Sequence, residues 1–291
     1  MNKINEFQEF CKDFSYAITN ENLKSIYYGL ELNKKSFFKK TGLVINGSGD
    51  QGLAILSSNN IKKIFLADID KRQFNVTSHK INLIKNKKYE EFRNVQIFGE
   101  SDGCFQYKIK DKKLIQHQLN KRNAFFSNER LDIIRKNLHR LEFVLGDMLN
   151  FDFQNEKFDF VYFSNIISSK GYQVVSNDCD FTYFLDGKDI LINNFKNNLK
   201  PDGLIYLTNY HSLNEFLTKK SLSQEKVYSS LFKYDKRLSN LAQIGENYSL
   251  GMWKPGIIRK NRKFKKQPLA EDNNLFDEEK TIDDDIFCLY Q

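Results

Sequence analysis

The sequence predicts a doubly wound α/β sheet preceded by a helical segment, and three observations predict it. Five short apolar runs, at 43–46, 64–68, 141–145, 160–163 and 204–208, alternate with stretches of helical periodicity. Four of these runs end in polar or turn residues: Asn46, Asp68, Gly146 with Asp147, and Ser164 with Asn165. The first run opens into N-G-S-G-D-Q-G at 46–52, which places Gly47, Gly49 and Gly52 at the spacing G-x-G-x-x-G on a strand-to-helix turn. Strands alternating with crossovers build a parallel sheet covered on both faces. Ligands of such sheets bind at the carboxyl ends of the strands, near the point where the strand order reverses.

Taken in order, residues 1–38 carry no strand signal, and Phe7, Phe10, Phe14 and Ile18 recur at helical spacing. The second apolar run ends in Asp68, 19 residues after Gly49, and Asp70 is placed to cap a helix over 71–86. Residues 95–123 hold S-D-G and K-D-K-K turn signals and read as an insertion. Ser127 stands as the N-cap of a helix whose Leu131, Ile134 and Leu138 share one face. A helix over 188–199 leads to the turn K-P-D-G at 200–203 and the fifth strand. The expected division is a helical segment at 1–40, an α/β domain at 41–250 with its insertion near 95–126, and a charged loop with a last strand at 251–291.

A composition with 40% hydrophobic residues, 26 of them Phe, supports a sizeable core, and 291 residues suit one large domain. There is no uncharged apolar run of the ~18 residues a membrane helix needs, and the opening M-N-K-I-N-E-F lacks the apolar region of a signal peptide. A soluble cytoplasmic protein is the expectation. Cys11, Cys104, Cys179 and Cys288 lie far apart, as do the four histidines, so neither a zinc site nor a disulfide framework is indicated. The formal charge of +8 invites an anionic partner, but it is uneven: 254–266 holds seven basic residues and no acid, and 271–285 holds eight acids. Adjacent blocks of opposite sign read as an exposed loop that partly neutralises itself, with RNA or an anionic membrane surface as the functional alternative for 254–266.

The Gly-rich turn brings backbone N–H groups close to a negatively charged ligand, although an ordinary βα turn uses glycines in the same way. A strand-end carboxylate about 20 residues on accepts hydrogen bonds from a ribose diol, and Asp68 fills that position. Asp50 is read either as a contact to the ligand or as a helix cap. Tyr27 and Tyr28 are aromatic candidates to cover a cation, with at least one of them ordinary core. His211, after the fifth strand, is the best-placed histidine for a general base, against a structural role.

Together the runs G-S-G-D-Q-G, D-I-D, G-D-M, F-D-F-V-Y-F and L-K-P-D-G-L-I-Y resemble those of class I S-adenosylmethionine-dependent transferases. More narrowly, Y-A-I-T-N-E-N-L at 16–23, K-Y-E-E-F at 88–92 and F-D-F-V-Y-F-S-N-I-I at 158–167 are similar to the betaine-lipid S-adenosylmethionine:diacylglycerol 3-amino-3-carboxypropyltransferase family and its short bacterial relatives. The resemblance covers about 14–210; the chain is shorter than the lipid enzyme, and 254–285 matches nothing in it. It implies a Rossmann-like sheet of the class I methyltransferase type with a helical N-terminal lid, and S-adenosyl-L-methionine as cofactor. Gly47, Ser48, Gly49, Asp50, Asp68, Asp147 and Ser164 are then the cofactor residues, with Asp68 on the ribose and Asp147 on the adenine amino group. Ser164 and Asn165 lie beside the reacting carbon. The implied reaction is aminocarboxypropyl transfer to a small-molecule or lipid acceptor; methyl transfer, including to RNA, is the alternative. An NAD-dependent dehydrogenase would share the glycines and Asp68, but needs neither Asp147 nor the helical segment.

Overall fold

The computed structural model describes residues 21–34, 38–94, 112–146, 148, 153, 155–164, 195, 197–209, 232–243 and 254–262. In chain order these form α1 (Leu23–Gly29), β1 (Lys40–Ile45), α2 (Asp50–Leu56), β2 (Ile61–Asp68), α3 (Lys71–Lys85) and α4 (Tyr89–Arg93). There follow α5 (Lys112–Phe125), α6 (Asn128–Asn137), β3 (Leu141–Leu145), β4 (Phe158–Ser164), β5 (Leu199–Asn209), β6 (Phe232–Tyr234), α7 (Lys236–Gln243) and β7 (Lys254–Lys260).

The strands make one sheet in the order β3-β2-β1-β4-β5-β7-β6. Strands β1 to β5 pair in parallel, whereas β7 runs antiparallel to both β5 and β6. This is the doubly wound, Rossmann-like sheet expected, with the reversal of strand order between β1 and β4 and an antiparallel strand inserted beside β5. The inner parallel strands β2, β1, β4 and β5 are largely buried on both faces, which is why they read as apolar runs, whereas the edge strand β3 leaves Glu142, Phe143 and Leu145 exposed. Along β4, Phe160 and Tyr162 join one core layer with Val44, Leu66 and Tyr206, whereas Phe158, Val161 and Phe163 join the other with Leu43, Phe65 and Ile205.

Local chemistry fixes several boundaries where the sequence puts them. Asp70 caps α3 by accepting from the Arg72 N–H at 2.9 Å, and Ser127 caps α6 by accepting from Arg130 N–H at 3.4 Å. At the amino edge of the sheet, Asp159 Oδ2 accepts from the Thr41 N–H at 2.7 Å and from Lys200 Nζ at 2.8 Å. One side chain thereby ties together the starts of β1, β4 and β5.

Three expectations need correction. K-P-D-G at 200–203 is an irregularity inside β5 rather than a turn before it: Phe158 pairs with Leu199 and Phe160 with Leu204, with Asp202 at φ 61° absorbing the extra length. The second half of the supposed insertion is helix α5, while 95–111 lies outside the described residues. The first part of the basic block at 254–266 is strand β7 and not a charged loop. Its Ile257 and Ile258 are buried in opposite core layers. Three cations of the block are paired: Arg259 with Asp235 at 2.8 Å, Arg262 with Asp202, and Lys260 with the Leu199 carbonyl at 2.6 Å. The acidic block at 271–285 and the last strand lie outside the described residues.

Reversing Arg259 to Glu therefore removes charged hydrogen bonds that join β7 to the Asp235 turn. The expected loss in stability is about 2 kcal/mol, measured by urea unfolding; a change within error would leave the pairing without a structural role.

Candidate functional site

The end of β1, the turn 46–49 and the start of α2 form a knot of short-range bonds beside the end of β2. Gly47 and Gly49 both have positive φ, 46° and 77°, which L side chains adopt only at a cost. Their surroundings differ. A Cβ on Gly47 would meet nothing within 4 Å, whereas on Gly49 it would meet Thr77 Oγ1 at 2.3 Å, and on Gly52 it would meet Leu66 Cδ2 at 2.4 Å. The first glycine makes the bend and leaves space above it, the second admits α3, and the third lets α2 lie against β2.

Asp68 closes the turn from the neighbouring strand. Its Oδ2 accepts from the Gly47 N–H at 3.1 Å, and its Oδ1 from the Asp70 N–H at 3.0 Å. Burial, only partly offset by these backbone donors, raises its carboxyl to about 6. The group is thus ionised at neutral pH, at a cost that a hydrogen-bonding ligand would repay. Two large apolar side chains flank it in solvent: Ile69, 76% exposed, and Leu145, which pairs with Asp68 in register and is 55% exposed. Neither residue stands out in the sequence, where the only signal is the apolar residue inside D-I-D.

Asp50 does not reach toward a ligand. Its carboxylate is fully buried, and it accepts from Lys80 Nζ at 2.8 Å and from Arg122 at 2.8 and 3.0 Å. Burial alone would raise this carboxyl, but Arg122 and Lys80 outweigh it and hold the group at about 2. Nor does Asp50 cap α2, since the N-cap is Gly49. The Ser48 side chain is also turned inward: its hydroxyl donates to Gln51 Oε1 at 3.1 Å and accepts from the Asp50 N–H at 3.3 Å. Of Ser48, only the backbone remains for a ligand. Lys80, Thr77 and Arg122 were missed because their partners lie about 30 to 70 positions away: Lys80 also donates to the Ser48 carbonyl at 2.7 Å, and Thr77 Oγ1 to Asn46 Oδ1 at 2.8 Å.

Tyr27 is one of the core aromatics, edge-on to Phe125 with its ring centroid 5.9 Å away and beneath the Arg130 guanidinium at 4.8 Å. Tyr28 is exposed. Ser164 ends β4 next to β1, at the carboxyl edge of the sheet; its side chain, Asp147, Asn165 and His211 lie outside the described residues. So the turn 47–49 and Asp68 come together at the reversal of strand order, with the end of β4 on the next strand.

The strand order and the Gly-rich turn define the class I methyltransferase-type sheet. No protein-family model and no curated protein matches the chain. Among solved structures it is similar to the N-methyltransferase NodS from Bradyrhizobium japonicum in complex with S-adenosyl-L-homocysteine, at 11% identity and a TM-score of 0.42, over 89% of this chain and 99% of that one. It is also similar to an rRNA methylase from Streptococcus thermophilus, at 9% identity and 0.39, over 81% and 93%. A third is a putative methylase from Haemophilus influenzae, at 15% identity and 0.40, over 84% and 91%. Likenesses this distant carry no activity across, and the fold rests on the observed strand order.

The two left-handed glycines should respond differently to substitution. Gly47→Ala adds only backbone strain, about 1–2 kcal/mol. Gly49→Ala adds to that strain a collision with Thr77, about 1–3 kcal/mol more. Thermal unfolding of both variants checks this; equal losses would remove the distinction.

Proposed function

We propose that the chain is an S-adenosylmethionine-dependent transferase. The observation that carries the reading is Asp68: a buried carboxylate at the end of β2, bonded to the Gly47 N–H of a Gly-rich turn at the reversal of strand order. A carboxylate there suits a ribose diol, and the exposed Ile69 and Leu145 beside it suit the flat face of a purine. A dinucleotide-binding dehydrogenase would use the same turn, but its usual sheet has six parallel strands in the order 3-2-1-4-5-6. Here the strand beside β5 is antiparallel.

Within that reading, Asp68 binds and orients the ribose, Gly47 leaves room for the cofactor, and Ser164 with Asn165 and Asp147 are the assigned acceptor-side and adenine-side groups. The cofactor's sulfonium supplies the electrophilic carbon. The protein's own part is to hold nucleophile, carbon and leaving sulfur in line, which needs no covalent step on the chain. The transfer we favour is of the 3-amino-3-carboxypropyl group to a small-molecule or lipid acceptor, supported by the short runs at 16–23, 88–92 and 158–167. Methyl transfer is the alternative. For an RNA acceptor bound through 254–266, Arg259, Lys260 and Arg262 sit beside the start of β5, at the edge opposite Asp68, whereas Lys254 pairs with Asn209 at the carboxyl edge and 263–266 lies outside the described residues.

Two measurements test this. Asp68→Ala should weaken S-adenosylmethionine binding at least tenfold by calorimetry, since it removes charge-assisted hydrogen bonds of about 1.5–3 kcal/mol each. Unchanged affinity in a folded variant would end the assignment. Methylthioadenosine released from the cofactor marks aminocarboxypropyl transfer, and S-adenosylhomocysteine marks methyl transfer.

The pH dependence follows from Asp68. Its folded value, about 6, lies above the ordinary carboxyl value of 3.8, so its contribution to stability is full below about 4 and declines as pH rises through 6. Ligand binding has the opposite sign, because a ribose diol donates to the ionised form. Affinity should be about tenfold weaker at pH 5 than at pH 8, and Asp68→Asn should flatten that profile.

A further inference from the structure

We infer that Lys80 and Arg122 are positioning residues that set the conformation of the Gly-rich turn from beneath, and through it the affinity of the cofactor site. The inference rests on the reading above only for its effect on affinity. Lys80 comes from α3 and Arg122 from α5, two separate helices of the connection between β2 and β3, and both are buried with Asp50: exposures are 0%, 2% and 0%. Lys80 Nζ donates at once to the Ser48 carbonyl, 2.7 Å, and to Asp50 Oδ1, 2.8 Å. Arg122 meets both Asp50 oxygens and donates to the Phe92 carbonyl at 3.4 Å. Its guanidinium lies 4.6 Å from the Phe92 ring and 5.3 Å from that of Phe126, so its plane is fixed as well.

The bonds determine which way the peptides of the turn face. The Gly47 N–H is committed to Asp68, the Gly49 N–H to the Asn46 carbonyl at 2.7 Å, and the Asp50 N–H to the Ser48 hydroxyl. The Ser48 carbonyl is drawn inward by Lys80. Across the preceding peptide, the Gly47 carbonyl accepts from Asn46 Nδ2 at 3.3 Å. The Ser48 N–H finds no acceptor among the described residues. A Cβ on Gly47 would meet nothing within 4 Å, so there is open space at the residue that precedes this donor. With two residues at positive φ, the turn has several alternative conformations open to it. Lys80 selects one by holding a carbonyl that water cannot reach.

The test combines amide hydrogen exchange of the free protein with calorimetry using S-adenosylhomocysteine. In Lys80→Met, amides of residues 47–50 should exchange at least tenfold faster, with those of β4 and β5 unchanged, and ligand affinity should fall at least tenfold. Arg122→Lys, which keeps a cation on Asp50 but loses the fork, should give a smaller change of the same kind. Wild-type exchange at 47–50 together with wild-type affinity in folded Lys80→Met would overturn the inference. If that variant does not fold, wild-type exchange at 47–50 in Arg122→Lys overturns it instead. Faster exchange in a protein whose wild type binds no S-adenosylhomocysteine would uphold the positioning role and refute the cofactor reading, so the two failures are separable.

Discussion

A carboxylate without solvent, held by two cations equally without solvent, is the constraint on which the candidate site depends. Taking charges out of water is expensive, and burying Asp50 with Lys80 and Arg122 gains less in net stability than the short distances suggest. An apolar trio of similar volume would fill the space at lower cost. What an apolar trio would not do is specify one arrangement of α2, α3 and α5 around a turn whose glycines impose little of their own. Directional bonds to Asp50 and to the Ser48 carbonyl set that register.

The two edges of the sheet divide the work between them. At the amino edge, Asp159 joins the starts of three parallel strands, and Lys260 and Arg262 close the start of β5. At the carboxyl edge, among the described residues, Ile69 and Leu145 stand in water, and Asp68 is ionised at neutral pH only at a cost. The exposed apolar surface around a buried acid at the carboxyl edge is what supports placing the proposed site there.

The parallel strands and the turn were legible in the sequence for a physical reason. Strands covered on both faces must be apolar throughout, and a strand-to-helix bend at positive φ must use glycine, so both leave local marks. Caps such as Asp70 and Ser127 are local for the same reason, bonding N–H groups two or three residues on. Strand β7 left no such mark. Only Ile257 and Ile258 are apolar in Lys254–Lys260, its proline and glycine mimic a loop, and its arginine is neutralised by Asp235, 24 positions upstream. The supports of the turn were illegible in the same way. Thr77 and Lys80 look like ordinary helix residues, and Arg122 sits in a stretch that reads as an irregular insertion. What makes them part of the site is distance in space, not pattern in sequence.

Asp50 shows why a motif position and a function are separate claims. As an acid inside the Gly-rich turn it invites assignment to the ligand, and spacing alone does not separate that role from a cap. The deciding fact is the direction of the side chain. A carboxylate aimed at a ligand must keep lone pairs toward the cleft and some access to water. That of Asp50 meets Lys80 on one oxygen and Arg122 on both, with no exposed surface. Asp68 differs on the same criteria: its donors are backbone N–H groups rather than cations, its burial is incomplete, and its carboxyl is raised rather than depressed. Two acids 18 positions apart in sequence thus part company by environment, one paired so completely that it serves the fold and the other left with capacity for a ligand.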